Sequence, residues 1–418
     1  MILTAGERRI ELMINSPQDA IEFAKNYSMD PAALFDLVNC TVEGDGAQWV
    51  RDALKGSLWS LGNSPSDVVA GLINLIRNRD WIVHSPHFLD VAKVDAPVIC
   101  VASGPSLERH IKELRRLQDR CLIICADTAL RGLRENGIYP HIATPLERDP
   151  NLKNNVADGY GVTYGGSLYT ERSVNQTFAN HIVIPADETT GHWVDERRLG
   201  YGSSTGTLSV ALGLAISSGP VYLVGHDISF GAQSHWTGAS CPGGTLADDT
   251  CEGNDGTVHQ TNHWFKVYGS QIAELAISNQ RIYNVNILDQ VGALIPGTLP
   301  GVLPTELTAS FEWKPIQARP SLYRMKLPHR IATLPTDLLR ARDIILQAQT
   351  VEQLSAEVIC GGDNMTIAAA LFRSIWSQFS FEKRMGLPPA KVFAGARAAM
   401  LSVVNGALPQ ISEACYAR

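Results

Sequence analysis

A Gly-Pro pair stands where the apolar run "VICVA" gives way to a helical pattern. The residues of this turn are Ser103, Gly104, Pro105 and Ser106. One interpretation is a tight turn that ends in a capping serine. The other is a nucleotide or phosphate site, because the N–H groups and the dipole of a helix N-terminus attract anions. The turn matches neither the G-x-G-x-x-G nor the Walker A pattern, so its residues alone leave both interpretations open.

Polar residues also follow two other strand-like runs and precede one helical pattern. After "CLIICA" come Asp127 and Thr128, and after "PVYLV" come Gly225, His226, Asp227, Ser229 and His235. The apolar helix pattern "TLSVALGLAI" is preceded by Ser203, Ser204, Thr205 and Gly206. Ordinary helix capping accounts for each group separately. Because the carboxyl ends of parallel strands open to one edge of a sheet, we expect these groups to share a cleft.

Two histidines stand near the start of the helical pattern "HWFKVYGSQIAELAISN". His263 is its first residue, and His259 lies four residues earlier. A metal site would use such a pair, but the H-E-x-x-H arrangement is missing, and Cys241 and Cys251 lack the CxxC-type spacing of zinc ligands. We therefore predict no metal site.

The composition excludes two classes of partner. The chain has 418 residues and a net charge of −7, and its Lys and Arg residues are dispersed. Nucleic-acid binding needs a basic face, so no nucleic-acid partner is expected. No run approaches the ~20 apolar residues of a membrane span, and the charged N-terminus "MILTAGERRIELM" lacks a secretory apolar region. We therefore predict a cytoplasmic protein without a membrane span.

Apolar strand patterns alternate with helix patterns from about residue 96 to residue 304. This alternation predicts an α/β, Rossmann-like core with a largely parallel sheet. The core is expected to lie between helical regions at residues 1–95 and 305–418, the first of which includes the amphipathic "DVVAGLINLIRN". The Gly-, Asp- and Ser-rich stretch between Asp227 and His263 predicts a long loop of the kind that closes over a site.

In this order and spacing, five segments resemble the motility-associated factor (Maf) glycosyltransferases and the bacterial lipooligosaccharide sialyltransferases. They are "VASGPSLERH", "IICADTALRGLRENGIYPHIATP", "GSSTGTLSVALGLAISSGPVYLVGHDISF", "SHWTG" and "YNVNILDQVGALIPGT", within about residues 96–300. Maf enzymes transfer nonulosonic, sialic-acid-like sugars to flagellin. The resemblance implies a metal-independent glycosyltransferase that moves such a sugar from a CMP-activated donor to a hydroxyl acceptor. It implies no cofactor besides the donor, and a protein or glycan acceptor, with the Ser and Thr residues of flagellin as one option.

The resemblance also assigns a nucleotide-sugar site. The sialyltransferase turn that holds the cytidine nucleotide falls on residues 102–106, with Ser103 in place of an asparagine. Asp127 replaces a second nucleotide-binding asparagine, and a Thr-Ser-Gly helix start matches 204–206. The predicted site comprises Ser103, Gly104, Pro105, Ser106, Asp127, Thr128, Ser204, Thr205, Gly206, Gly225 and Asp227.

The catalytic residues of the sialyltransferases fall on three further positions. Two tyrosines that contact the leaving phosphate correspond to Ser229 and His235. The catalytic histidine corresponds to His263 when the last core helix is aligned at Ile272–Leu275. The resemblance therefore implies His263 as the general base, and Ser229 and His235 as partners of the leaving phosphate.

Two interpretations from other classes stay open. A group of pterin diphosphokinases, which use ATP and Mg²⁺, is similar in the same Gly-Pro-Ser and Asp-Thr segments. Its metal would need carboxylates, and the candidates are Asp127, Glu147, Asp149 and Asp227. The other interpretation is a non-catalytic nucleotide-binding module whose helical flanks bind partners.

Overall fold

The chain divides into two compact units. A computed structural model describes residues 2–5, 8–11, 13–16, 19–20, 41–44, 47, 50, 65–156, 159–186, 190, 194–231, 235–240, 247–285, 292–304, 310–313, 327–347 and 389–416. One unit takes in both ends of the chain, 1–76 and 328–418, and the other spans 77–327. The second unit is wider than the predicted core of 96–304.

The prediction that residues 1–95 are helical is wrong for part of this region, because the first unit contains three β-strands. Its strands are β1 (Ile2–Ala5), β2 (Arg8–Glu11) and β3 (Thr41–Glu43), an antiparallel sheet in the order β2-β1-β3. Their sequences, "ILTA", "RRIE" and "TVE", contain no continuous run of four apolar residues, so the sequence pattern did not indicate buried strands here. The predicted helix "DVVAGLINLIRN" is confirmed as part of α1 (Pro65–Arg77), except for its last residue, Asn78, which follows the helix.

The described residues of the C-terminal region, 305–418, are helical except for 310–313. It contains α8 (Leu327–Gln347) and α9 (Pro389–Tyr416), while 348–388 lie outside the described residues. Among the helices that the structure describes, none carries an apolar stretch long enough to cross a bilayer.

The second unit contains an eight-stranded, entirely parallel sheet, which confirms the predicted α/β fold. Its strands are β4 (Val98–Val101), β5 (Leu122–Cys125), β6 (Ile142–Ala143), β7 (Thr163–Tyr164), β8 (Asn180–His181), β9 (Val221–Val224), β12 (Ile282–Asn284) and β13 (Leu299–Pro300). The spatial order is β13-β12-β9-β4-β5-β6-β7-β8. Every neighbouring pair in this order is parallel.

The strand order reverses between β4 and β9. The chain runs outward from β4 to β8, returns to pair β9 with the other side of β4, and then runs outward to β13. Val98 is therefore in register with Leu122 on one side and with Val221 on the other. In open parallel sheets, ligands bind outside the carboxyl ends of the strands at such a reversal.

Helices cover both faces of this sheet. They are α2 (Arg79–His84), α3 (Leu107–Leu117), α4 (Asp127–Glu135), α5 (Arg172–Asn175), α6 (Thr205–Ile216) and α7 (His263–Ser278). Residues of β4 alternate between two buried clusters: Ile99 and Val101 belong to one, and Val98 and Cys100 to the other. A strand buried on both faces explains why "VICV" is a continuous apolar run. Phe88 packs into the second cluster, and this contact extends the unit ahead of residue 96.

The stretch between Asp227 and His263 is not the structureless loop that its composition predicted. It contains an antiparallel hairpin, β10 (Asp249–Glu252) and β11 (Val258–Thr261), closed by Gly256 at a φ of +75°. The hairpin lacks apolar alternation because its residues are mostly exposed or half-buried, so the sequence carried no strand pattern.

Candidate functional site

The ends of β4 and β9 pack closely at the reversal of strand order. The Gly104 N–H donates to the Gly225 carbonyl at 2.9 Å, and the Ala102 N–H donates to the Val224 carbonyl at 2.9 Å. A Cβ on Gly104 would overlap the Gly225 carbonyl and the Asp227 carboxylate. Gly225 itself has a φ of +69°, which a residue with a side chain rarely adopts. Gly104 and Gly225, two of the three glycines of the predicted nucleotide site, are therefore required where these two strand ends approach each other.

The N-terminus of α3 already holds an anion, which is the side chain of Asp227. The buried carboxylate of Asp227 accepts the Ser106 N–H at 2.8 Å. Ser106 is also buried, and its hydroxyl makes no capping hydrogen bond. The amide N–H immediately before the first residue of α3 is therefore satisfied within the protein. A nucleotide at this turn would meet the half-buried Gly104 and Pro105 instead.

The residue after Asp227 has an unusual backbone conformation. Ile228 has a φ of +55°, an outlier for a β-branched residue. Its carbonyl accepts the Thr261 hydroxyl at 2.7 Å, and the Asp227 carbonyl accepts the Ala293 N–H at 2.6 Å. Such conformations persist where surrounding contacts over-determine them, and they cluster at functional sites. Hydrogen bonds from Thr261 and from Ala293 therefore fix the backbone that follows the carboxyl end of β9.

A segment from His235 to Ser240 lies across the ends of β4 and β5. The Trp236 N–H donates to the Ser103 carbonyl at 2.8 Å, and the Ser240 N–H donates to the Thr128 carbonyl at 3.0 Å. The Thr128 hydroxyl donates to the Ser103 hydroxyl at 2.9 Å. Ser103 and Thr128, both predicted from the sequence, are therefore brought into direct contact.

The Trp236 indole fixes this segment in place. It is buried against Gly132 of α4 and against Gly238, at both of which a Cβ would overlap the ring. The indole N–H donates to the Glu108 carboxylate on α3. The segment from His235 to Ser240 is therefore attached to α3 through Glu108 and to α4 through Gly132.

Asp127 is a buried carboxyl group at the first turn of α4. Its Oδ1 has no hydrogen-bond partner within the described part of the chain. Burial raises the pKa of Asp127 to about 6, against a hydrogen bond from Asn155 that lowers it, and the nearby Glu147 raises it further. A buried acceptor without a partner is rare and points to a missing donor. A ligand N–H or O–H at this strand end would supply one.

Tyr268 on α7 belongs to the same group, and the sequence analysis missed it. Burial raises the pKa of Tyr268 to about 12, and Glu147 contributes in the same direction. Glu147 thus lies within electrostatic reach of both Asp127 and Tyr268. The phenol stays protonated at neutral pH and can donate a hydrogen bond. No motif marked this residue, because only the packing of α7 reveals its burial beside Glu147.

The start of α6 is closed by its own side chains. The Ser204 hydroxyl accepts the Thr207 N–H at 3.1 Å, and the Thr207 hydroxyl accepts the Ser204 N–H at 3.1 Å. In this capping box the Ser204 hydroxyl stabilises the N-terminus of α6, because it accepts the Thr207 N–H. The Thr144 hydroxyl donates to the Thr205 carbonyl at 3.0 Å and ties α6 to the end of β6. Thr205 remains half-buried at the helix end, where an anion is favoured.

Gly206 provides space for a neutral histidine. A Cβ on Gly206 would lie 3.2 Å from Cε1 of His226. Burial lowers the pKa of His226 to about 4, so its imidazole is neutral at physiological pH. Gly206 is itself buried, and it supports the helix end without facing solvent.

The three residues predicted for catalysis differ in exposure. His235 is half-buried, burial lowers its pKa, and its ring meets Phe265 of α7 edge-on at 6.0 Å. Ser229 is fully buried and offers no surface to a ligand in this structure. His263 is exposed at the first turn of α7, with its ring against Trp264 at 5.4 Å.

His263 and His259 do not form a pair. His259 lies on β11, where its Nε2 is 3.2 Å from the Asp255 carboxylate. The His263 N–H instead donates to the Asp248 carboxylate at 3.2 Å. In the described ranges, no group of three or more His, Cys, Asp or Glu side chains has an arrangement suited to a metal ion.

Comparisons with known proteins agree with this architecture. A family model described as "6-hydroxymethylpterin diphosphokinase MptE-like" matches residues 73–233, which include β4 and β9. A solved structure of a Maf glycosyltransferase from Magnetospirillum magneticum AMB-1 matches with a TM-score of 0.57 and 15% sequence identity. The match covers 96% of this chain and 70% of that one. No curated protein sequence matches the chain significantly. The chain therefore has the fold of a Maf glycosyltransferase, as its sequence resemblance predicts.

Proposed function

We propose that the protein is a glycosyltransferase that moves a nonulosonic sugar from a CMP-activated donor to a hydroxyl acceptor without a metal ion. The observation that carries this proposal is the gathering of predicted nucleotide ligands at the reversal between β4 and β9. The likeness in fold to a Maf glycosyltransferase supports the same reaction class. A flagellin Ser or Thr is the acceptor that the resemblance favours.

The nucleotide would lie beside the carboxyl ends of β4 and β5, next to the segment from His235 to Ser240 that crosses them. The half-buried backbone of Gly104 and Pro105 would face the nucleotide. Thr128 lies close by, with its hydroxyl bonded to the hydroxyl of the buried Ser103. Asp127 accepts a nucleoside O–H or N–H through Oδ1, which has no hydrogen-bond partner among the described residues. The N-terminal turn of α6, at Thr205, is the part of the cleft best suited to the phosphate.

The reaction would be a single displacement at the anomeric carbon, through an oxocarbenium-like transition state. The acceptor oxygen bonds to that carbon, the bond to the phosphate oxygen breaks, and the acceptor proton moves to His263. The exposure of His263 suits this role, because a macromolecular acceptor approaches from solvent. Departing CMP gains negative charge, which N–H and O–H donors stabilise. His235, Thr205 and the protonated Tyr268 are the accessible donors, whereas Ser229 would need its segment to move.

A pterin diphosphokinase activity is the second candidate, because the MptE-like family model matches the central region. That chemistry needs carboxylates around Mg²⁺. Asp227 already accepts the Ser106 N–H, and Asp149 accepts the Asn151 N–H at 2.8 Å. Asp127 and Glu147 are the remaining candidates, and two carboxylates plus substrate phosphates satisfy Mg²⁺ in many sites.

A thermal-shift panel separates these functions. We expect CMP to raise the melting temperature in the presence of EDTA, because the proposed site holds phosphate with backbone and side-chain donors. A ligand at a hundredfold excess over Kd stabilises by about 2.7 kcal/mol. CDP, UDP and ATP, each with and without Mg²⁺, are the comparison ligands. If ATP with Mg²⁺ alone shifts the melt, the diphosphokinase is favoured and the glycosyltransferase proposal fails. A shift with CMP but no turnover of any CMP-activated sugar would indicate a nucleotide-binding module.

Replacing His235 by alanine is expected to lower kcat of transfer by about 10²-fold, or roughly 3 kcal/mol in the barrier, because one donor to the leaving phosphate is lost. The lowered pKa keeps His235 neutral, so the loss should be the same at every pH above its ordinary titration range. His235→Gln keeps an N–H donor and should recover part of the rate. Equal losses in both variants, or a change in CMP affinity alone, would argue against this role.

A further inference from the structure

A second concave site lies at the opposite, amino edge of the parallel sheet. It has a volume of about 320 Å³ and lies beside the starts of β5, β6, β7 and β8. Its lining includes Asp119, Tyr139, His141, Asn180 and Trp313. This volume is at the lower end of the range for small-molecule sites, roughly 300–1,000 Å³. Neither the nucleotide site nor the proposed transfer uses any of these residues.

His141 is the polar group of this amino-edge pocket that the protein orients before any ligand arrives. His141 Nδ1 accepts the Ile123 N–H at 3.0 Å, which places the ring proton on Nε2. Burial lowers the pKa of His141 to about 4, so the imidazole is a neutral donor at physiological pH. The exposed Asp119 supplies acceptors, and the Asn180 amide supplies both a donor and an acceptor.

One wall of the pocket is an oriented indole. The Trp313 Nε1–H donates to the Thr163 hydroxyl at 3.2 Å. The Phe311 N–H donates to the Asp119 carbonyl at 2.7 Å, and the Phe311 ring meets His141 edge-on at 5.5 Å. The segment 310–313 is therefore attached across the starts of three strands. Its indole ring contributes a rigid apolar surface beside the polar groups.

A tyrosine, Tyr139, lines the pocket and is 57% exposed. The Arg134 guanidinium lies 5.2 Å from the centre of the Tyr139 ring. The same guanidinium donates to the Tyr160 carbonyl at 3.0 Å, so the arginine is itself held in place beside the ring. An exposed aromatic ring beside a polar concavity is typical of binding surfaces, because a ring supplies a large contact area at low entropic cost.

We propose that this amino-edge pocket binds an uncharged saccharide. Sugar hydroxyls both donate and accept, which matches a lining that contains a carboxylate, a neutral imidazole and an amide. The C–H face of a pyranose ring matches an aromatic wall. The described lining contains Asp119 and no Lys or Arg, so it disfavours an anionic sugar such as the proposed donor. The site goes beyond the transfer chemistry and is suited to anchoring a neutral glycan.

Saturation-transfer proton NMR on the full chain tests this proposal. The probes are methyl glycosides of uncharged hexoses and N-acetylhexosamines at millimolar concentration, with choline and N-acetylneuraminate as a cationic and an anionic comparison. We expect at least one uncharged glycoside to bind, and saturating CMP to leave that binding unchanged. Asp119→Asn should weaken it about tenfold, because a hydrogen bond to a charged acceptor is replaced by a neutral one. Tyr139→Ala should weaken it as well.

Glu113→Gln is the matched control, since it neutralises an exposed carboxylate on α3 outside the pocket. It should bind the glycoside like the unmodified chain. The proposal is overturned if no uncharged glycoside binds, if binding is insensitive to Asp119→Asn, or if only choline or N-acetylneuraminate binds. The shift of the melting temperature by CMP does not depend on this pocket. A negative result in the glycoside-binding experiment would therefore not contradict the proposed transfer function, which the CMP experiment tests separately.

Discussion

Replacing His263 by alanine is expected to lower kcat of sugar transfer by about 10²–10⁴ and to leave CMP affinity nearly unchanged. A general base acts only as the acceptor proton moves, so its loss weakens the transition state without weakening nucleotide binding. The exposed position of His263 at the start of α7 supports this separation, because its N–H donates to Asp248 and its ring lies against Trp264, and neither residue belongs to the predicted nucleotide site. The measurement is kcat with saturating donor, together with the CMP Kd from the thermal shift.

His259→Ala is the matched control, because His259 belongs to the hairpin network with Asp255. It should transfer sugar at nearly the normal rate. If His259→Ala loses activity and His263→Ala does not, the alignment of α7 with the sialyltransferase helix is misplaced. If neither variant is impaired, the proton is removed by another group and the mechanism fails at this step.

Replacing Asp127 by asparagine is expected to stabilise the protein at pH 8. Burial raises the pKa of Asp127 from 3.8 to about 6, so ionising it costs folding free energy on the order of 3 kcal/mol. The folded state binds this proton more tightly than the unfolded state. Stability is therefore lost as the pH rises from about 4 to about 6, and the full cost is present above that window. Asparagine removes the ionisation and keeps the shape.

The measurement is the melting temperature of both forms between pH 4 and pH 8. A gain of 3 kcal/mol corresponds to roughly 6–12 °C in a unit of this size, and the two curves should converge near pH 4. Asp119→Asn, at an exposed carboxylate, should shift the midpoint by only about 1–2 °C. An Asp127→Asn variant that is less stable than the unmodified chain at pH 8 would show that the ionised carboxylate has partners in the folded state.

The sheet of the second unit was predictable because its central strands are buried on both faces. "VICV", "LIIC" and "VYLV" are continuous apolar runs between helix patterns, and such runs are typical of parallel strands. The strands of the first unit and the β10–β11 hairpin were not predictable. Their sequences, such as "RRIE" and "DTCE", contain no continuous apolar run that would indicate a buried strand.

The sequence also identified the strand ends of the site but not the contacts between them. Ser103 and Thr128 follow apolar runs, so their place at the carboxyl edge could be inferred, and the structure joins their hydroxyls. The bond between Asp227 and Ser106 spans 121 residues along the chain, and a local pattern contains no information about it. Tyr268 was missed for the same reason, since its role depends on the proximity of Glu147.

Release of CMP from a CMP-activated nonulosonic acid tests the central claim most directly. The reaction is followed by phosphorus NMR in the presence of EDTA, with water or an added hydroxyl compound as acceptor. We expect free CMP to accumulate, and His235→Ala to slow its release. The account is contradicted if the donor stays intact under these conditions while ATP, Mg²⁺ and a hydroxymethylpterin are converted to AMP and the pterin diphosphate.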